Sequence, residues 1–214
     1  PFELAGKVAV VAGGPGGIGA ATATRLAQAG AAVVIGYNRG RDRAEAVVAS
    51  LPGPGRHMAL KMPMDASDSL NAAAARVQEV HGVAHILVNS AGTTKAVAHA
   101  DLDGLDDETF DQILVTNVRG PFATVRAFAP LLRSGEDSVI INVSSISAET
   151  GKGSSIAYCA SKAALDNITR VSALELGQYG IRVNGVHPTV VMTPMSAWYW
   201  GRPEIERPFL SQLP

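Results

Sequence analysis

A tyrosine and a lysine lie four residues apart in the stretch SIAYCASKAAL, at 155–165. If this stretch is helical, Tyr158 and Lys162 lie on the same face, because residues four apart are neighbours on an α-helix. A phenol with a pKa near 10 exchanges protons poorly at neutral pH, but an ammonium group about 4 Å away would lower that pKa by roughly three units before burial opposes it. The pair is therefore compatible with a tyrosine that exchanges a proton with a substrate, and equally with a half-buried aromatic beside a solvated lysine; further motifs must decide between them.

A glycine-rich segment, AGGPGGIGAAT, follows the first predicted strand and opens the first predicted helix. Such a turn lets the backbone approach a pyrophosphate, whose charge is stabilised by free amide groups and by the positive end of the helix dipole. The segment therefore predicts a dinucleotide site. Three registers fit the glycines and remain open at this point: Gly14, Gly16 and Gly19; Gly13, Gly16 and Gly19; or Gly13, Gly17 and Gly19.

Runs rich in valine and isoleucine alternate with alanine-rich helical segments along the chain. The predicted strands lie within 7–13, 31–37, 57–62, 85–92, 138–145 and 181–188, and the predicted helices cover 18–29, 41–51, 67–80, 107–132, 155–178 and part of 194–213. Continuous apolar runs are typical of strands buried on both faces, and strand-helix alternation is typical of a parallel sheet. The sequence predicts a Rossmann-like, doubly wound α/β fold of about six strands, in a single domain spanning 1–214.

Composition narrows the class of partners. The chain has 214 residues, 47% of them apolar and 17% charged, with a net charge of −1. This balance predicts a globular domain without the basic surface that nucleic acid or an anionic membrane would need, so small-molecule partners are expected. The single Cys159 can form no internal disulfide, and no metal-ligand spacing, secretion signal or membrane-spanning apolar run is present. A cytoplasmic protein without a metal is expected.

Further motifs follow the later strands. Asp65 follows the third strand, Asn89 opens N-S-A-G after the fourth, Asn117 lies in the long helix, and Ser145 follows the fifth strand, before the Tyr-x-x-x-Lys motif. Together with the glycine turn, these motifs resemble the classical short-chain dehydrogenase/reductase family. That family is marked by T-G-x-x-x-G-x-G, by N-N-A-G and by a Ser, Tyr-x-x-x-Lys active site. The resemblance covers residues 4 to about 195 and favours the third glycine register.

The chain departs from the family pattern at three places. Ala12 stands where the family usually has threonine, Ser90 replaces the second asparagine of N-N-A-G, and His-Pro-Thr at 187–189 replaces the usual Pro-Gly.

The resemblance implies a reaction and a set of residues. The expected function is that of an NAD(P)(H)-dependent oxidoreductase, 3-oxoacyl-reductase-like, that interconverts a carbonyl and a secondary alcohol. In reduction, Tyr158 donates a proton to the carbonyl oxygen while Ser145 holds that oxygen, and Asn117 binds a water through a helix irregularity that links Lys162 to solvent. The implied cofactor-binding residues are Gly13, Gly17, Ile18, Gly19, Tyr37, Asn38, Arg39, Asp65, Ala66, Asn89, Ala91, Gly92, Tyr158, Lys162, Pro188 and Thr193. A catalytically weak dinucleotide-binding or regulatory module of the same fold is the alternative.

The end of the second predicted strand favours NADP(H) over NAD(H). An NAD site usually offers an acidic residue there, to bind the ribose 2′-hydroxyl, but Tyr37 and Asn38 occupy this place. Arg39 follows, and a guanidinium binds a 2′-phosphate through paired hydrogen bonds. Against this, Gly16 stands where many NADP-using relatives carry arginine or lysine.

The resemblance also bears on assembly and on the last part of the chain. Residues 192–214, with Trp198, Tyr199 and Trp200, correspond to the family's substrate flap, and the family's usual final helix and seventh strand are absent. In relatives, the helices expected here at 107–132 and 155–178 pair about a twofold axis, so a homodimer or homotetramer is expected.

Overall fold

The computed structural model describes residues 3–194 and 196–211, except for the side chains at 198, 199, 205, 206, 208 and 209 in the last two helices. The strands are β1 (Val8–Ala12), β2 (Ala32–Tyr37), β3 (Met58–Lys61), β4 (Ile86–Asn89), β5 (Val139–Val143) and β6 (Arg182–Val186). The helices are α1 (Gly17–Gln28), α2 (Arg41–Ser50), α3 (Ser67–His81), α4 (Asp107–Leu114), α5 (Gly120–Arg133), α6 (Ser147–Thr150), α7 (Ile156–Gly177), α8 (Ala197–Trp200) and α9 (Pro203–Leu210).

The six strands form one parallel sheet in the order β3-β2-β1-β4-β5-β6. The chain adds strands on one side of β1 first and then crosses to the other, so a topological switch point lies between β1 and β4. Ligands bind outside the carboxyl ends of the strands at such a point. The prediction of a Rossmann-like, doubly wound sheet is confirmed.

The sheet is buried on both faces, as its continuous apolar runs predict. All five residues of β1 are buried, and they alternate between two clusters. Val10 packs on the face covered by α3 and α5, together with Phe128. Val11 packs on the opposite face, which α1 and α2 cover with small residues such as Ala23. These layers fix where each strand ends, and thereby position the loops at the carboxyl edge.

The segment predicted as one helix over 107–132 differs from that prediction. A π-helical turn, Val115–Arg119, separates α4 from α5, and the Gly120 amide donates to the carbonyl of Val115 five residues earlier. The irregularity that the family resemblance implied at Asn117 is therefore present, while the single continuous α-helix is wrong. Within residues 3–194 and 196–211, no helix is long and apolar enough to cross a membrane, and no cluster of His, Cys, Asp or Glu could hold a metal ion.

Candidate active site

Four loops meet at the carboxyl edge of the sheet. The register pairs the last residue of β1, Ala12, with Asn89 of β4, and Asn89 with Asn142 of β5. It also pairs Val143 of β5 with Val186 of β6. The glycine turn, the N-S-A-G segment, Ser145 and the loop after β6 therefore begin side by side.

Tyr158 and Lys162 lie on the first turns of α7. The helix begins after Ser155, whose hydroxyl accepts a hydrogen bond from the Tyr158 amide at 3.3 Å. Lys162 is only 5% exposed, and its Nζ lies 5.7 Å from the centroid of the Tyr158 ring. The same Nζ donates to the carbonyl of Val143, the last residue of β5, at 2.8 Å. The helix and the strand end are thereby joined at the site.

Ser145 follows β5 and faces the phenol. It is 7% exposed, and its hydroxyl lies beside the Tyr158 phenol. The Ser145 Oγ also accepts from the Ser147 amide and donates to the Ser147 hydroxyl, both at 3.1 Å. These bonds orient the hydroxyl, so Ser145, Tyr158 and Lys162 form one group.

The ionisation of this group differs from the sequence expectation. Burial raises the pKa of Tyr158 above its usual value, and the neighbouring Ser145 hydroxyl only partly opposes this. Burial also lowers the pKa of Lys162 to about 8, against the opposing charge of Asp166. The lowering of the tyrosine pKa that the spacing predicts is not found, because burial dominates and the Lys162 ammonium group binds the carbonyl of Val143.

Asn117 is fully buried in the π-helical turn. Its Oδ1 accepts from the Thr93 amide at 2.8 Å, and its Nδ2 donates to the Thr93 carbonyl at 2.9 Å and to the Ser161 hydroxyl at 3.0 Å. A Cβ built on Gly92 would lie 3.5 Å from Asn117 Oδ1 and 3.7 Å from Lys162 Nζ. The structure therefore brings Asn117, Gly92 and Lys162 together, as the motifs predict.

The geometry of the glycine turn favours the register of Gly13, Gly17 and Gly19. Gly13 has a φ of +78°, and a Cβ there would lie 2.5 Å from the amide nitrogen of Ala91. A Cβ on Gly19 would collide with the carbonyl of Gly13, and one on Gly17 would lie 2.6 Å from the Thr193 side chain. The first amides of α1, from Gly17 onward, have no acceptor within the helix. This bare backbone at a helix start fits the pyrophosphate of a dinucleotide.

The segment after β2 carries the candidate contacts to the adenosine ribose. Tyr37 ends the strand half-buried, and Asn38 and Arg39 are exposed. Arg41 binds Glu45 at 2.6 Å, and the Arg43 guanidinium lies against Gly40. Arg39 forms no ion pair within the described ranges, so of the three arginines it is the one best placed to bind a phosphate.

The remaining predicted residues lie on the same edge. Asp65 and Ala66 stand between β3 and α3, where the Asp65 carbonyl accepts from Arg119 at 3.2 Å. The Pro188 carbonyl accepts from the Ile146 amide at 3.1 Å, and Thr193 lies against the glycine turn. The predicted flap over 192–214 contains α8 and α9. The side chains of Trp198 and Tyr199, which the family resemblance assigns to the flap, lie outside the described residues, as do Met195 and 212–214.

Sequence reasoning missed one hydrogen-bonded pair beside the site. Asp166 is 7% exposed, and its Oδ2 lies 2.9 Å from Nε2 of His187. The spacing offered a signal, since Asp166 follows Lys162 by four residues just as Lys162 follows Tyr158.

A parallel Rossmann-like sheet, a glycine turn at its switch point and a Ser, Tyr, Lys group at its carboxyl edge define the class of nicotinamide-dependent short-chain oxidoreductases. The chain belongs to the short chain dehydrogenase family, whose sequence profile matches residues 7–201.

The chain is similar to characterised enzymes and to solved structures of this family. It is 38% identical to trans-4-hydroxycyclohexanecarboxylate dehydrogenase of Sinomonas cyclohexanicum, over 91% of this chain and 76% of that protein. It is 35% identical to D-threitol dehydrogenase of Mycolicibacterium smegmatis, over 94% of this chain and 76% of the relative. A short chain dehydrogenase from Burkholderia cenocepacia, solved in complex with NADP, superposes with a TM-score of 0.87 and 37% identity, covering 96% of this chain and 82% of the other.

The protein is therefore an NAD(P)-dependent oxidoreductase that interconverts alcohols and carbonyl compounds. This result confirms the function expected from the sequence and favours it over the alternative of a catalytically weak dinucleotide-binding or regulatory module.

Proposed function

We propose that Tyr158, Ser145, Lys162 and Asn117 carry out carbonyl reduction, and its reverse, with NADP(H) as the preferred cofactor. The observation that supports this most strongly is the group at the end of β5, where the Lys162 ammonium binds the Val143 carbonyl at 2.8 Å and the Ser145 hydroxyl meets the Tyr158 phenol.

The raised pKa of Tyr158 keeps the phenol protonated at neutral pH, which suits a proton donor in reduction. The bound nicotinamide supplies the hydride. Ser145 holds the carbonyl oxygen by a hydrogen bond, and Tyr158 donates its proton to that oxygen. With its pKa at about 8, Lys162 is mostly charged at pH 7, so its ammonium group stabilises the tyrosinate that forms. Oxidation of the alcohol reverses these transfers.

Asn117 maintains this geometry. Its three hydrogen bonds hold Thr93 and Ser161 against the π-helical turn, beside Gly92 and Lys162. In the proposed relay, a water bound at this turn passes protons between Lys162 and solvent.

The preference for NADP(H) rests on the exposed Arg39 and on the absence of an acidic residue at Tyr37 and Asn38. The structural relative from Burkholderia cenocepacia was solved with NADP. The remaining predicted cofactor residues line the same edge, from the glycine turn to Pro188 and Thr193.

The proposed substrates are small ketones and secondary alcohols. The two relatives are named for a hydroxycyclohexane carboxylate and for a sugar alcohol, both of which carry a secondary hydroxyl. A 3-oxoacyl thioester is the other substrate to be tested.

A homodimer is the proposed assembly, formed through α4, α5 and α7. Apolar side chains on these helices remain exposed in the single chain, among them Phe122 at 49%, Val171 at 50% and Leu174 at 79%. Light scattering at micromolar concentration should give at least twice the chain mass of 22.1 kDa. A strictly monomeric species would contradict this assembly.

Tyr158→Phe tests the catalytic assignment, with Tyr179→Phe as the matched control. Tyr179 is exposed, and its ring stacks under the Arg133 guanidinium at 3.8 Å, just beyond the end of α7 that is remote from the site. Tyr158→Phe should lower kcat by at least about 1,000-fold, within the range for a lost acid-base group, and leave cofactor Kd within a few fold. Tyr179→Phe should retain turnover. Retained turnover in Tyr158→Phe would refute the mechanism.

The cofactor preference is tested by comparing kcat/KM for NADPH and NADH in the parent and in the Tyr37→Asp/Arg39→Ala double variant. The parent should favour NADPH by at least about tenfold, since a good charge-assisted contact is worth about 1.5 to 3 kcal/mol. The double variant should shift toward NADH. Equal use of both cofactors by the parent would overturn the preference.

A further inference from the structure

Asp166 is a buried carboxylate that no part of the mechanism above requires. It is 7% exposed on α7, and within the described ranges its Oδ1 is fully buried without a hydrogen-bond partner. A buried carboxylate with one unsatisfied oxygen costs several kcal/mol unless a nearby positive charge compensates it. A nearby positive charge should therefore compensate that of Asp166.

The same helical face supplies one such charge. Tyr158, Lys162 and Asp166 follow each other at intervals of four residues, so phenol, ammonium and carboxylate lie in a row along α7. Lys162 is itself buried, and within the described ranges its Nζ donates to a neutral carbonyl, that of Val143, and to no carboxylate. Among the described residues, Asp166 is the carboxylate whose charge favours the protonated form of Lys162.

The loop after β6 supplies the second partner. Oδ2 of Asp166 lies 2.9 Å from Nε2 of His187, and because a carboxylate only accepts, this nitrogen carries the hydrogen. The His187 ring packs beside bare Gly185, where a Cβ would lie 3.8 Å from both the ring and the methyl group of Thr169 on α7. Asp166 therefore joins the catalytic helix to the first residue of this loop.

That loop lies along the proposed cofactor site. Its next residue, Pro188, accepts a hydrogen bond from Ile146 at 3.1 Å, just after Ser145, and Thr193 lies against Gly17 of the glycine turn. His187 is also part of the His-Pro-Thr segment that replaces the usual Pro-Gly. The residue that donates a hydrogen bond to Asp166 therefore lies where this chain departs from the family pattern.

We propose that Asp166 is a positioning residue that keeps Lys162 charged during turnover, and that its bond to His187 holds the loop at 187–193 against the cofactor site. This inference rests on the proposed role of Lys162. It explains why a carboxylate is buried here: its charge is used one helical turn away.

Lys162 and His187 are the titratable residues closest to Asp166. The strands and helices packed on α7 place neutral polar groups near Asp166, such as Asn142 of β5, which donates to Thr169 at 2.8 Å. The other ionisable side chains of these elements and of α7 near Asp166 are exposed to solvent: Asp107, Glu108, Asp111, Arg119, Glu149, Arg170 and Arg182.

The decisive variant is Asp166→Asn, with Glu175→Gln as the control, because Glu175 is an exposed carboxylate on the same helix. An opposite charge at this range is worth about one to three pKa units, so the alkaline limb of kcat/KM for carbonyl reduction should move down by about one pH unit. For a limb near pH 8, this predicts about a fivefold loss at pH 8 and almost none at pH 6. Glu175→Gln should leave the limb in place.

A second measurement does not depend on activity. In the cofactor-free protein, the ¹³Cε resonance of Lys162 should titrate about one pH unit lower in Asp166→Asn than in the parent. Asp166→Ser provides the same comparison if the asparagine variant folds poorly. An unchanged midpoint in a folded variant, or a loss of activity equal at pH 6 and pH 8, would overturn the inference and leave a purely structural role.

His187 is tested separately. His187→Ala should raise cofactor Kd several fold without moving the alkaline limb, and His187→Gln, whose amide can replace the Nε2 donor, should restore most of the affinity. Unchanged cofactor Kd in His187→Ala would overturn the role of the loop contact. Failure of the proposed function itself would look different, because Tyr158→Phe would then retain turnover whatever Asp166 does.

Discussion

The two halves of the cleft are built by different means. On the nucleotide side, β1, the glycine turn and α1 form the site from bare backbone, with Gly13 pressed against Ala91 and Gly17 against Thr193. On the catalytic side, buried polar side chains form it, among them Asn117, Lys162 and Asp166. The nucleotide side requires glycines, because a Cβ atom would collide with the neighbouring backbone. The catalytic side requires hydrogen bonds and charges among side chains that are largely buried from water. Substitutions should therefore fail for different reasons in the two halves.

Gly13→Ala should give the largest effect. A left-handed φ costs a non-glycine residue about 1–2 kcal/mol, and the new Cβ would lie 2.5 Å from the Ala91 nitrogen, so the turn must shift. We expect cofactor affinity to fall by about 100-fold or more, which corresponds to about 2.8 kcal/mol for the strain and the steric overlap together. Gly16→Ala is the control, because its φ is −77° and its Cβ would lie 3.2 Å from the Gly13 carbonyl. Isothermal titration should show a change of less than about threefold for Gly16→Ala; equal losses in both variants would contradict a steric cradle.

Asn142→Leu should disrupt the catalytic side through its hydrogen bonds. Asn142 accepts from Asn89 at 2.9 Å and donates to Thr169 at 2.8 Å, all three being buried. Leaving such partners unsatisfied costs about 1–3 kcal/mol each, so the free energy of unfolding should drop by about 3 kcal/mol in urea denaturation. Adding Asn89→Leu and Thr169→Val should recover part of this loss. A triple variant less stable than the sum of the single changes would argue against a coupled chain of bonds.

Lys162→Met should separate stability from chemistry. Burial lowers the pKa of Lys162 from 10.5 to about 8, so the charged form is disfavoured in the folded protein. At neutral pH this costs up to about 3 kcal/mol, at 1.36 kcal/mol per unit. We expect the variant to lose turnover but to gain about 1–3 kcal/mol in stability at pH 7.

The same substitution has a signed pH dependence. Between pH 8 and pH 10.5 the unfolded chain holds the lysine proton more tightly than the folded protein does, so the parent gains stability as pH rises. The advantage of Lys162→Met over the parent should therefore shrink across this window. An advantage that stays constant would mean that the ammonium charge is not the source of the cost.

Glu45→Gln should give the smallest effect. The exposed Arg41 guanidinium is held by Glu45 at 2.6 Å, away from the proposed 2′-phosphate contact at Arg39. Releasing it should lower the KM for NADPH by about twofold and leave that for NADH unchanged, as exposed ion pairs are weak. A parallel change for both cofactors would place Arg41 outside the recognition of the 2′-phosphate.

The two halves also differ in how well the sequence predicts them. The glycine turn and the Tyr-Lys pair follow from local spacing, because a turn and a helical face are defined by a few consecutive residues. The strands are equally predictable, since runs such as that of β1 are apolar throughout. Spacing alone could not separate the three glycine registers, and the contacts of Gly13 and Gly17 support the one that the family resemblance favours.

Other features depend on contacts between distant residues. The pKa of Tyr158 depends first on burial, which the spacing of Tyr158 and Lys162 does not define. The bond between Asp166 and His187 joins positions 21 residues apart and exists only once α7 packs beside the end of β6. No residue type or spacing is characteristic of a π-helical turn, so only the family resemblance indicated this one.

That turn at Val115–Arg119 can be understood as the record of an insertion. One extra residue in a helix advances every following side chain by about 100° around the axis, so α4 can face α7 while α5 faces α3 and the sheet. A deletion of one codon within the turn would restore regular pairing of the backbone and make the helix locally more favourable. It would also rotate either Asn117 or the apolar face of α5 out of place. Among single-codon deletions across 107–133, those within the turn should therefore reduce stability and activity most, although they make the local helix more regular. This is the opposite of the usual rule that better local structure stabilises a protein.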